Sequence, residues 1–282
     1  MGAALTGLAV LASCDKTEIP DVDYPEYVLD TGYEGLELAW TEDFSTPGQP
    51  GQDWSYESGY VRDSELQDYK ASDAGFCRIE DGNLVIEARR DTHEGEADGA
   101  PYTFEFSSAS IVSQGSAVFG DGRVDIRAKI PTGRGLCPEF VLTKAGEGSG
   151  DVPGITLMKY IYGDADSRDR IYTGIRSDYT ENGGMVDPGY AISSTFETAW
   201  HTYSLVKNGE SLTVLIDNRT IFEYSHDAMH GEWPFGGDFR LRISLAVGGV
   251  YGGTWGVDTS IFPKRLEVDS ISYYRYAADA EE

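Results

Sequence analysis

A chain of 282 residues, 40% hydrophobic and 12% aromatic, is long enough for one large domain with a substantial core, and no break in composition asks for two. Its formal charge of −26 repels phosphate backbones and anionic lipids, which excludes nucleic-acid binding as a function class. A neutral ligand such as an uncharged glycan meets no such barrier, and solubility alone accounts for the charge.

In chain order, residues 1–14 form an apolar run too short to cross a bilayer, as in a secretory signal. The run closes on Leu11-Ala12-Ser13-Cys14 and resembles a bacterial lipobox, which implies export, cleavage and a lipid on Cys14. Residues 15–35 are acidic, carry prolines and read as a flexible tether. Acidic residues directly after such a cysteine are similar to the surface-export signals of polysaccharide-utilising Gram-negative bacteria. Lipid on Cys14 leaves Cys77 and Cys137, both read as buried small hydrophobes; spacing does not decide whether they pair.

From Leu36 the pattern becomes strand, turn, strand. LELAWTEDF leads in, and CRIEDGNLVIEAR alternates across an Asp81-Gly82 turn, a hairpin signal. ASIVSQG, GRVDIRAKI, PEFVLTK, GITLMKYIY and IYTGIRSDY follow, each bounded by turn residues. Then come HTYSLVKNGESLTVLIDNRTIFEY, FRLRISLAV and LEVDSISYYRY. Many short strands, rich in Tyr and Trp and separated by glycines, predict an all-β fold over 36–278: a jelly-roll sandwich with a concave cleft. The four histidines lack metal-ligand spacing, and no phosphate loop or nucleophile elbow occurs.

LAWTEDF, ELQDYK, IEDGNLVIEARR, SASIVSQGSAVFGDGRVDIRAKIPTGRGLCPEF, WHTYSL, WPFGGDFRLRISLAVGG and FPKRLEVDSISYYRY occur in an order that resembles glycoside hydrolase family 16, the laminarinase and lichenase jelly rolls of the concanavalin A-like class. The resemblance spans residues 38–276. It places DVPGITLMKYIYGD, residues 151–164, where that family carries a Glu-x-Asp-x-x-Glu signature. Gly154 then stands for the nucleophile, Thr156 for the intervening acid and Lys159 for the acid/base. Retaining hydrolysis needs two carboxyl groups about 5–5.5 Å apart, one attacking and one shuttling a proton. Side chains two apart on a strand share a face, so 154 and 156 point together, and 159 joins them only through a bulge. Glycine offers no nucleophile and lysine no carboxylic acid, so this mechanism is expected to be lost.

The same alignment replaces other cleft positions. Val141 stands where the family has a tryptophan, Arg176 for a histidine, Val206-Lys207 for Glu-Trp, and Ser244 for an asparagine. The expected function is non-catalytic binding of a β-glucan-like polysaccharide. Aromatic candidates to face sugar rings are Trp54, Tyr69, Trp200, Trp233, Tyr251 and Trp255, with Arg62, Glu65, Gln67, Lys159 and Arg176 as polar partners. Two alternatives stay open. One is an active endo-glycosidase using displaced carboxylates among Glu65, Glu139, Asp151 and Asp164; the other is a structural or adhesion sandwich with a filled cleft. The basic residues at 159 and 176 hint at an anionic group on the ligand. No cofactor is required, although the resemblance implies a candidate structural calcium at Asp269, with Glu42 and a carbonyl near Gly82. The implied setting is the outer-membrane surface, the membrane being reached through lipid alone, beside a glycan importer and hydrolases.

Overall fold

The computed structural model describes residues 33–146, 153–163, 169–177, 185–228 and 232–277. The leader with Cys14, nearly all of the tether, and the candidate acids Asp151 and Asp164 lie outside these residues.

Two sheets, antiparallel but for one pair of strands, face one another. Their strands are β1 (Leu36–Glu42), β2 (Trp54–Tyr56), β3 (Gln67–Tyr69), β4 (Cys77–Glu80), β5 (Asn83–Ala97), β6 (Ala100–Ser108), β7 (Ser110–Ser113), β8 (Gly122–Lys129) and β9 (Leu136–Lys144). The chain continues through β10 (Gly154–Tyr162), β11 (Asp169–Arg176), β12 (Met185–Ile192), β13 (His201–Lys207), β14 (Ser211–Ile216), β15 (Arg219–Ser225), β16 (Phe239–Val247) and β17 (Lys264–Tyr276). One sheet runs β12-β11-β10-β9-β16-β7-β2. The other is built on β15-β14-β13-β8-β17-β5-β6-β3, with β1 on β17 and β4 on β5, and β3 joins β6 in parallel. This is the jelly-roll sandwich that the strand pattern predicted.

The core lies between the sheets, and strict alternation fills it. On β16, Phe239, Leu241, Ile243 and Leu245 are wholly buried in the core, which turns Arg240, Arg242 and Ser244 to the opposite face. On β9, Phe140 and Leu142 go inward and Cys137, Glu139 and Val141 outward. β10 breaks the alternation once. Leu157 and Met158 are consecutive core residues, and the register to both neighbouring strands shifts there, between Thr156 and Lys159 on one side and Thr156 and Met158 on the other. That is the expected bulge, and it brings Lys159 to the face of Gly154 and Thr156. Cys77 and Cys137 are both free thiols, buried in different sheets.

Candidate functional site

The outward face of the β9-β10-β16 sheet is organised in cross-strand rows. Arg176, Gly154, Thr143 and Arg240 pair in one row; Gly174, Thr156, Val141 and Arg242 in the next; Tyr172, Lys159, Glu139, Ser244 and Ser110 in the third. Residues opposite each other in adjacent strands share a face, so the three substituted positions and their replaced neighbours lie together.

The third row carries an ion cluster. Lys159 Nζ donates to Glu139 Oε1 at 3.0 Å, and Arg242 Nη2 to Glu139 Oε2 at 3.3 Å. The glutamate is 3% exposed and the lysine 6%. Burial alone would drive the Glu139 carboxyl up, but Lys159 and Arg242 outweigh it and hold the group below the usual carboxylate range. Burial likewise opposes the lysine charge, and Glu139 outweighs it, raising the lysine. The Lys159 ammonium also sits 3.5 Å from the centroid of the Tyr251 ring.

The loop that joins β2 of this sheet to β3 of the other closes over the cluster. Leu66 N donates to the Val247 carbonyl and Val250 N to that of Asp63, both at 2.8 Å, and Gln67 Oε1 accepts from Val247 N at 2.7 Å. Gly249 makes the contact possible: its φ is +70°, and a Cβ there would lie 2.8 Å from the Asp63 carbonyl oxygen. Gln67 Nε2 donates to Glu65 Oε2 at 2.7 Å. Burial pushes the Glu65 carboxyl up to about 7, with Arg62 opposing and Glu139 reinforcing the rise. Arg62 pairs with Glu57, which also accepts from Ser110 Oγ. Between Asp63, Gly154, Thr156, Arg176 and the ion cluster only about 20 Å³ remains, room for roughly one water.

A second, open groove lies beyond the other end of β10. It holds about 670 Å³ and is lined by Gly133, Arg134, Tyr162, Gly163, Trp255, Asp258 and Ile261. Trp255 is 49% exposed there. The rim is tied down: Gly133 N donates to Tyr160 Oη at 2.8 Å, and Asp258 N to the Arg134 carbonyl at 3.0 Å.

The other expected aromatics lie elsewhere. Trp54 is 3% exposed, inside the core near Phe44, because the short β2 turns it between the sheets. Trp200 packs under the Arg127 and Lys129 cations of β8, on the opposite sheet. Trp233 stacks on Tyr224 with Phe235 edge-on, as a satellite of the core. Tyr69 is buried beneath Arg62. Glu65 and Gln67 are buried too, tying the loop rather than lining open space. Lys207 is not a cleft residue, since β13 belongs to the opposite sheet and its ammonium pairs with Asp121. At the calcium candidate, Asp269 pairs with Arg127 at 3.2 Å and Glu42 Oε1 accepts from Phe44 N. Among the described residues no three His, Cys, Asp or Glu side chains converge to hold a metal.

Sequence reasoning did not single out Arg240, Arg242, Glu57, Arg134, Tyr162 or Asp258. The FRLRIS alternation was a usable signal for the two arginines; nothing local pointed to the others, which meet only in the fold.

No protein-family model matches the chain. In sequence it is 29% identical over 255 residues to a beta-glucanase of Rhodothermus marinus, spanning 85% of each chain. In structure it superposes with a TM-score of 0.77 and 28% identity on SCLam, a non-specific endo-β-1,3(4)-glucanase from glycoside hydrolase family 16, over 92% of this chain and 98% of that one. The fold matches that of this family 16 glucanase. A more distant relative is beta-1,3-glucan-binding protein 2 of Manduca sexta, 23% identical over 269 residues, 79% of this chain and 54% of that one. The ion cluster of Lys159, Glu139 and Arg242 occupies the strand face on which the family resemblance would place hydrolytic acids.

Proposed function

We propose that this chain is a non-catalytic glycan-binding protein on a family 16 hydrolase scaffold, with a β-glucan-like polysaccharide as ligand. The observation that carries the proposal is the Lys159–Glu139–Arg242 cluster, which fills the centre of the sheet face while Gly154 and Thr156 supply no carboxyl group. A retaining mechanism requires two carboxylates on either side of the bond and a sugar ring between them, and a void of about 20 Å³ admits no ring. Binding falls instead to the open groove, where Trp255 and Tyr162 offer aromatic faces and Arg134 and Asp258 polar groups. The names of the relatives, glucanases and a glucan-binding protein, support a β-glucan as ligand. The lipobox-like leader supports a lipid on Cys14 at the outer-membrane surface, where bound polysaccharide would be held for hydrolases and an importer.

One observation favours a second reading, hydrolysis by displaced acids. Glu65 sits near 7 while Glu139 stays ionised, and pairs whose values are driven apart suit acid/base work. Incubation with laminarin, mixed-linkage β-glucan and agar-type polysaccharides, with a reducing-sugar assay, separates the two. The binding reading expects retardation on affinity gels and no release of reducing ends. Turnover that disappears in Glu65→Gln would replace it with the second reading.

A further inference from the structure

The row through Gly154 sets two arginines at either side of a floor of small residues. Arg176, Gly154, Thr143 and Arg240 lie side by side on four strands, so the outer two are separated by three strand spacings, about 14 Å. Arg240 is half-buried, and its Nε is shielded from solvent without a hydrogen-bond partner. Among the described residues no carboxylate pairs with it. That is unusual in a chain with 48 acidic and 22 basic residues, where an arginine has more than two acids to choose from. Arg62 repeats the pattern: Nη2 meets Glu57, whereas Nη1 is buried and unpartnered. Arg62 and Arg242 also repel one another, so these cations are crowded rather than dispersed. The carboxylates facing them include Asp63, Glu57, Glu65 and Glu139, with Glu139 already committed to Lys159 and Arg242. The face is therefore rich in cations within a strongly acidic molecule, and at physiological ionic strength the distant acids are screened beyond about 8 Å.

We infer that the Arg240 end of this row, outside the filled centre, is a subsite for an anionic substituent on the glycan, a sulfate ester or a uronic carboxylate, with Arg240 as its principal ligand. A guanidinium presents a planar fork that matches both groups, and the half-buried Thr143 beside it leaves that end of the row uncrowded. This inference rests on the glycan-binding reading and adds the charge class of the ligand.

The test is titration calorimetry of the full chain with a sulfated galactan, the same galactan after chemical desulfation, a polyuronate, and laminarin. The expected result is at least tenfold tighter binding of one or both charged polymers than of the neutral ones; which of the two binds identifies sulfate or carboxylate. Arg240→Ala should erase that preference, and Arg240→Lys should restore part of it, since a point charge replaces the fork. Near-UV circular dichroism confirms that each variant is folded. Equal affinity for charged and neutral polymers, or a preference untouched by Arg240→Ala, overturns the inference and leaves glycan binding standing. Failure to bind any of the four overturns both.

Discussion

The two ends of β10 make opposite use of one sheet. Around Lys159 the charged side chains have turned on neighbours: ammonium and guanidinium on Glu139, Tyr251 on the ammonium, Gln67 on Glu65 and on the chain. Around Trp255 an indole is left half in water above about 670 Å³ of open space. The comparison teaches that a sheet face without carboxyl groups at 154, 156 and 159 need not be empty. Buried charges demand partners, and here they fill the centre of the face. Recognition then belongs to the parts of the face that did not collapse.

The largest effect should come from breaking the filled centre. Glu139→Ala leaves Lys159 and Arg242 buried without their common anion and should cost about 3–5 kcal/mol in urea unfolding. Replacing the cluster together, as Glu139→Leu with Lys159→Met and Arg242→Leu, should recover most of that loss, because packed apolar side chains substitute for a buried ion cluster at little net cost. If the single variant is as stable as the parent, the cluster does not hold the centre.

Glu65 adds a pH dependence. Its folded-state value of about 7 lies above the ordinary 4.5, so the folded protein retains a proton that the unfolded chain releases. The stabilising contribution is complete below about 4.5 and is lost as pH rises to about 7, an effect of roughly 3 kcal/mol. Glu65→Gln should flatten this fall in a series of denaturation curves. Glu139, held low, acts in the other direction, and its contribution disappears as pH falls below the ordinary carboxylate range.

At the open end, Trp255→Ala should weaken glycan binding by about 2 kcal/mol while the unfolding midpoint stays in place, reversing the signature of Glu139→Ala. Affinity gels paired with thermal melts read both. The smallest effect belongs to the opposite sheet. Asp269 and Arg127 are partly exposed, so Asp269→Asn should cost less than about 1 kcal/mol, and a chelator should leave the melting temperature unchanged.

The strand pattern made much of this legible. Alternation in FRLRIS and PEFVL matches the inward and outward faces of the fold, and the extra residue between Thr156 and Lys159 required the bulge that the register contains. Family likeness located Gly154, Thr156 and Lys159 on one face. The aromatics were less legible, because an indole serves equally well in a core, under a cation or against a sugar. Trp54, Trp200 and Trp233 took the first two roles and Trp255 remained exposed.

By itself, then, the sequence determined the sandwich and that residues 154, 156 and 159 carry no carboxyl group, since both depend on local periodicity and residue identity. Only the tertiary structure decided what gathers around them. Glu139, Lys159 and Arg242 come from three strands, Asp63 from a loop and Tyr251 from the short helix Gly249–Gly252, so their meeting depends on register and on the closure of Gly249 against Asp63. Whether a charge is solvated, paired or left waiting for a ligand depends on neighbours distant in the chain, and no local pattern encodes them.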